Sequence, residues 1–387
     1  MKASVIGYSR IGALRELKFA SEKYFRQEIT AGELLETAGN IRLKNHRIQK
    51  ANGIDFIPSN DFSFYDNMLD AAFLLNAVPE RYRDLELSEL DTYLAMARGY
   101  QGKKGDVKAL AMKKWFNTNY HYMVPEIDDS TEIKLAGTKP FDEFIEAQKN
   151  GIKTKPVIIG AFTFLKLARF TGNKGIADFA DAVSSAYCDY LAKLAEIGAE
   201  WAEFDEPYLV TDLSAEDISL FVSLYKKILS AKSSVKVLLQ TYFGDIRDCY
   251  NEVCGLAFDG IGLDFVEGKK SFELITKNGF SKDKILFAGV VNGKNIWRNH
   301  YSNTLITVSE LKKHCNETVL NTYCSLLHVP CTLKNETKLP ESVKKHFAYA
   351  EEKLTEKDFV RLPEILFTAL LYHAFEIPSM NRFKYSL

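Results

Sequence analysis

Short apolar, β-branched runs alternate along this chain with longer stretches whose apolar positions recur at helical spacing. That alternation predicts βα units arranged around a parallel sheet. The predicted strands are 4–7, 54–58, 156–160, 201–205, 235–243, 261–266, 285–291 and 319–327, with 120–124 as a weaker ninth candidate. A (β/α)8 barrel needs eight, and periodicity does not say which of the nine stands outside it. A helical region starts near Leu14, and further helical patterns cover 176–197 and 218–229. Thr30-Ala31-Gly32-Glu33 has the spacing of a capping box and predicts another helix, with Leu34, Leu35 and Ile41 on its apolar side.

Several predicted strands turn polar at their C-terminal tips: Asp205-Glu206, Gln240-Thr241-Tyr242, Asp264 with Glu267, Asn292, and Cys324-Ser325. In a (β/α)8 barrel those tips build the active face. Beyond about Lys353 the pattern changes, and 358–361 with 364–375 read as short helices. The expected organisation is an α/β TIM barrel over 1–353 and a helical C-terminal appendage over 354–387.

The length of 387 residues suits one such barrel with insertions. The 50 basic and 51 acidic side chains nearly cancel, which argues against a nucleic-acid partner. No apolar run reaches the roughly 20 residues needed to cross a bilayer, and the N-terminus carries no apolar signal core. The six cysteines are scattered with no CxxC pair, as expected of free thiols in the cytoplasm.

Three segments carry candidate chemistry. Arg15-Glu16-Leu17-Lys18 follows the first predicted strand, and Arg15 and Lys18 share a helix face. At a helix N-terminus on the active face they would meet an anion such as a carboxylate, whereas on an ordinary helix they are solvated charges. The stretch from Lys113 and Lys114 to Glu126 packs Trp115, Phe116, Tyr120 and Tyr122 among amides and His121. It could stack on a heteroaromatic ligand or simply close a loop over the core. Asp205-Glu206-Pro207 ends a strand and could act as acid and base or cap a helix. Cys324 and His328 supply only two of the donors that a zinc site needs, so no metal site is assigned.

Taken in order, these segments resemble the N-terminal domain of cobalamin-independent methionine synthase. The matching stretches are Arg10-Ile11-Gly12, 15–18, 115–126, 205–207, 240–243, 289–298 and 324–328, and the resemblance covers roughly 3–353. It implies methyl transfer from a 5-methyltetrahydrofolate polyglutamate to homocysteine, in methionine biosynthesis. It also implies folate contacts at Arg15, Glu16, Leu17, Lys18 and Lys114. Asn119, Tyr120, His121, Tyr122, Asp205 and Glu206 are candidate ligand-lining residues on their chemistry alone, and no catalytic residue is assigned.

In that family the zinc and homocysteine sites lie in a C-terminal barrel that this chain lacks. The family's internal duplication places the zinc-ligand positions on Leu239, Thr241, Asp264 and Cys324, two of which cannot ligate. The resemblance therefore implies no cofactor on this chain and zinc in a separately encoded C-terminal barrel. The alternatives are a non-catalytic folate or small-molecule binding protein, a lone enzyme centred on Asp205, Glu206 and Cys324, or a fragment of a longer protein. The tail from Asp358 departs from the family's inter-barrel region, which argues against simple truncation.

Overall fold

The computed structural model describes residues 1–355. The two helices expected at 358–361 and 364–375, and with them almost all of the appendage, lie outside the described residues. Seven parallel strands form one curled sheet: β1 (Ile57–Ser59), β2 (Thr154–Ile159), β3 (Trp201–Asp205), β4 (Lys236–Gln240), β5 (Gly260–Asp264), β6 (Ile285–Val291) and β7 (Glu317–Thr322). Their spatial order is their order along the chain, which is the pattern of successive βα crossovers.

Among the described residues no eighth strand closes the sheet. The predicted first run reaches both edges through single bridges instead, Ala3 to Leu320 and Ser4 to Phe56. The Ser4 amide donates to the Leu320 carbonyl at 2.7 Å, and the Val5 amide donates to the Phe56 carbonyl at 3.4 Å. The ninth candidate is the one outside the sheet: His121–Met123 pairs antiparallel with Met112–Lys114 in a separate hairpin.

Side chains alternate between the two faces of each strand. On the inner face Trp201, Leu238, Phe287 and Val319 pack as one layer, where Phe56 joins Trp201 and Phe287 at ring distances of 5.1–5.8 Å. The next layer is polar. Glu203 forms a buried ion pair with Lys155, and Asn321 donates to Gln240 Oε1 at 2.9 Å. Gly262 makes room here, since a Cβ on it would lie 2.1 Å from Gln240 Oε1. The other face, including Phe204, Leu239, Ile261 and Leu263, packs with the helical residues in the main core.

Helix Ala31–Ala51 opens with the expected capping box. The Thr30 hydroxyl accepts from the Glu33 amide, and the Glu33 carboxylate accepts from the Thr30 amide at 2.7 Å. Leu34 and Ile41 are buried as predicted, whereas Leu35 remains 49% exposed.

Candidate active site at the C-terminal ends of the strands

The loops that follow the strands meet over the sheet's C-terminal end. The hairpin 112–123 covers it. Trp115 packs edge-on to Tyr122 at 5.6 Å, Phe116 contacts Phe243 at 5.8 Å, and Tyr120 and Phe243 both approach His328. Phe116 and Phe243 both hold left-handed backbone angles, φ 49° and 73°, which bulky side chains rarely adopt. Asn117, Glu267 and Lys294 tie three loops together: Asn117 donates to Glu267, and Lys294 pairs with Glu267 at 2.5 Å. The aromatic segment thus closes over the core, and Trp115 and Tyr122 are buried in doing so.

Beneath the hairpin lies a cavity of about 30 Å³ whose lining includes Asp61, Asp66, Tyr120, Asp205, Tyr242 and His328. Asp205 is buried, and its Oδ2 accepts from the Tyr242 hydroxyl at 3.1 Å. Burial and the neighbouring Glu203 carboxylate hold the Asp205 carboxyl well above the usual range. Burial also pushes Asp61 and Asp66 up to about 7 and lowers His328 to about 4, so the ring of His328 is neutral at pH 7. Asp66 Oδ1 caps helix Asn67–Leu74 through the Leu69 amide, and its Oδ2 accepts from the Met123 amide, which fixes the hairpin to that helix.

The adjacent carboxylates have opposite fates. Asp205 lines the cavity; Glu206 does not. Glu206 is fully buried and accepts four hydrogen bonds, from the Phe162 and Thr163 amides, the Thr163 hydroxyl and the Tyr225 hydroxyl. It therefore caps helix Ala161–Leu167. Asn119 and His121 also stand outside the cavity lining, while Tyr120 is part of it.

Residues 7–15 leave the N-terminal segment at the same end as the strand tips, because that segment runs parallel to them. Arg10 joins this loop to the hairpin, its guanidinium 5.9 Å from the Tyr120 ring. Arg15 precedes helix Glu16–Phe25 in a left-handed conformation, φ 63°, and gives the helix no side-chain cap. Arg15 and Lys18 are exposed, and Lys18 approaches Glu22 only at 3.7 Å. Glu16 accepts from the Leu14 amide at 2.9 Å. Leu17 is 1% exposed and packs with Ala20, Leu34 and Phe62, so its side chain belongs to the core. Lys114 is exposed on the hairpin strand, opposite His121.

Zinc does not fit the positions that the family duplication points to. Leu239 is apolar, Asp264 Oδ1 is committed to the Val266 and Glu267 amides, and Cys324 is a buried thiol held far above its usual pKa by desolvation. Among the described residues no group of three or more His, Cys, Asp or Glu is arranged to hold a metal. All six cysteines are free. No helix among the described residues is long and apolar enough to cross a membrane.

Sequence reasoning missed Lys155 and Glu203. The signal was the period-2 spacing of Glu203 and Asp205 in Trp201-Ala202-Glu203-Phe204-Asp205, which puts two carboxylates on one inner face.

A curled parallel sheet with its polar side chains and capping loops gathered at the strand C-termini defines a barrel-type α/β protein. Residues 2–316 match the family described as cobalamin-independent synthase, N-terminal domain, and the chain belongs to that family. A 5-methyltetrahydropteroyltriglutamate–homocysteine methyltransferase of Streptococcus thermophilus is 55% identical over 92% of this chain and 47% of its own length. One from Campylobacter jejuni is 55% identical over 95% of this chain and 48% of its own. The chain thus spans about half the length of these relatives. Among solved structures, a putative vitamin-B12-independent methionine synthase from Listeria monocytogenes superposes with a TM-score of 0.64 at 14% identity, covering 95% of this chain and 99% of the other. A B12-independent methionine synthase from a Shewanella species gives 0.61 at 13% identity, over 89% and 92% of the two chains.

Proposed function

We propose that this chain is the folate-binding half of a methionine synthase. It would take the methyl donor 5-methyltetrahydropteroyltriglutamate and work with a separately encoded, zinc-bearing C-terminal barrel that holds homocysteine. The fold would be that of a (β/α)8 barrel with residues 3–4 in the place of the eighth strand. Zinc in the partner would keep the homocysteine sulfur as a thiolate, and the cytoplasm, with its reduced thiols, is the setting that chemistry needs.

The observation that carries this reading is the N-terminus of helix Glu16–Phe25. Arg15 and Lys18 place two exposed cations at the positive end of a helix that has no side-chain cap. Cations there cost stability, and an anion bound by both side chains at the helix end offsets that cost. A polyglutamate tail is such an anion. Lys114 would add a charge from the hairpin, Tyr120 and Asp205 would line the mouth, and Asn119 and His121 would border it.

The test is reconstitution. The chain is mixed with a zinc-loaded C-terminal methionine synthase barrel, homocysteine and the methyl donor, and methionine is measured. Turnover that requires both polypeptides supports the split enzyme. Turnover by the C-terminal barrel that is unchanged by this chain contradicts it.

A further inference from the structure

A second, larger cavity lies outside the sheet, beside the first, with Asn67 and Val157 in both linings. It has a volume of about 420 Å³ and is enclosed by helices Ala31–Ala51, Asn67–Leu74, Glu89–Arg98 and Lys139–Lys149 against β2. That volume is within the range of small-molecule sites. One wall is apolar, made by Leu35, Phe64, Phe73, Leu74 and Leu90. This wall accounts for Leu35, which carries an apolar side chain on the expected face yet stays half exposed.

The polar floor is built and its cations are already spent. Lys139 Nζ donates to Asn60 Oδ1 and to the Phe62 carbonyl, both at 2.7 Å, and pairs with Asp70 at 3.1 Å and Glu143 at 3.3 Å. Arg42 pairs with Glu143 at 3.7 Å and Glu146 at 2.6 Å. The lining holds these two cations against five carboxylates, those of Asp70, Glu89, Asp142, Glu143 and Glu146. Glu89 and Asp142 have no ion-pair partner among the described residues and sit exposed at the rim. Deeper in, the Asp70 side chain is 8% exposed, and its Oδ2 accepts no hydrogen bond of acceptable geometry despite the nearby Lys139. The Lys139 ammonium 3.1 Å from that oxygen serves Glu143 as well, so the lining keeps an excess of negative charge.

We propose that this side cavity binds a small amphipathic cation, an aromatic or branched alkyl group carrying a single ammonium. The apolar body lies against the Leu35 and Phe73 wall, and the ammonium neutralises the excess negative charge. A carboxylate-bearing ligand of the same size is disfavoured, because both cations in the lining are engaged.

The probe is 2-phenylethylamine, titrated into the whole chain by calorimetry, with phenylacetate as the anion of matching size. Saturable binding of the amine alone is expected, with affinity reduced about fivefold or more in Glu89→Gln/Asp142→Asn. Leu35→Lys, which adds a cation to the wall, weakens it further. All three positions are exposed, so circular dichroism should show the variants folded. The proposal is overturned if the amine does not saturate by about 10 mM, if phenylacetate binds as well, or if the folded variants bind the amine like the parent.

Discussion

Gly160→Ala isolates the packing that holds the loop after β2 in place. A Cβ at position 160 would lie 2.2 Å from Glu206 Oε1 and 2.3 Å from its carboxyl carbon. The backbone there, φ −70° and ψ 158°, suits alanine, so any cost is steric. The carboxylate must move by about 1 Å to reach ordinary contact, and it is anchored by four hydrogen bonds. Two run to the Phe162 and Thr163 amides at 2.9 and 2.7 Å, and two come from the Thr163 and Tyr225 hydroxyls at 2.6 and 2.5 Å. A buried group left unsatisfied costs about 1–3 kcal/mol. Losing two of the four bonds therefore predicts a loss of about 4 kcal/mol. Urea unfolding followed by circular dichroism measures it. Gly255→Ala is the control: its Cβ would meet nothing within 4 Å at the end of helix Tyr250–Gly255, and it should gain up to about 1 kcal/mol. A loss below about 1 kcal/mol for Gly160→Ala would refute the assigned role of Glu206.

Lys155→Met leaves Glu203 charged and unpaired inside the sheet; it should cost about 3–5 kcal/mol in the same assay, with much of the loss recovered in Lys155→Met/Glu203→Leu. Asp264 is held up to about 7 by burial, against 3.8 for a free aspartate. A raised folded-state pKa gives a contribution to stability that is complete below about pH 4 and is lost as pH rises to about 7. Asp264→Asn keeps an oxygen for the Val266 and Glu267 amides, so the variant should match the parent near pH 4 and exceed it by roughly 2–4 kcal/mol at pH 8; thermal melts across that range would show no widening gap if the reading is wrong. Arg15→Ala/Lys18→Ala should leave the unfolding midpoint unchanged or slightly raised, since it removes cations from a helix N-terminus, and a clear loss would assign those side chains a structural role.

Local chemistry was legible where the signal is local. The Thr30 capping box and β3 at 201–205 follow the sequence residue for residue, because caps and period-2 alternation depend on near neighbours. The 120–124 run has strand chemistry, but its partner is Met112–Lys114, and only the antiparallel pairing across the Trp115–Tyr120 turn removes it from the main sheet. The 4–7 run has the composition of a strand, yet it meets each edge of the sheet through one bridge. Asp205 and Glu206 are neighbours in sequence whose roles separate by geometry: strand alternation points Asp205 inward, and the chain's exit from β3 delivers Glu206 to the helix that follows β2. That delivery joins residues 44 positions apart in the chain and leaves no local mark. The side cavity depends on four helices at once, and only the apolar, half-exposed Leu35 hinted at it.

The central claim is that the loop and helix start at 10–18 form an anion site for a folate polyglutamate. Calorimetric titration of the chain with 5-methyltetrahydropteroyltriglutamate tests it most directly. The account predicts saturable binding that weakens by about 1.5–3 kcal/mol for each charged hydrogen bond lost in Arg15→Ala/Lys18→Ala. Binding of equal strength in the parent and the double variant, or no binding by the parent, would contradict it.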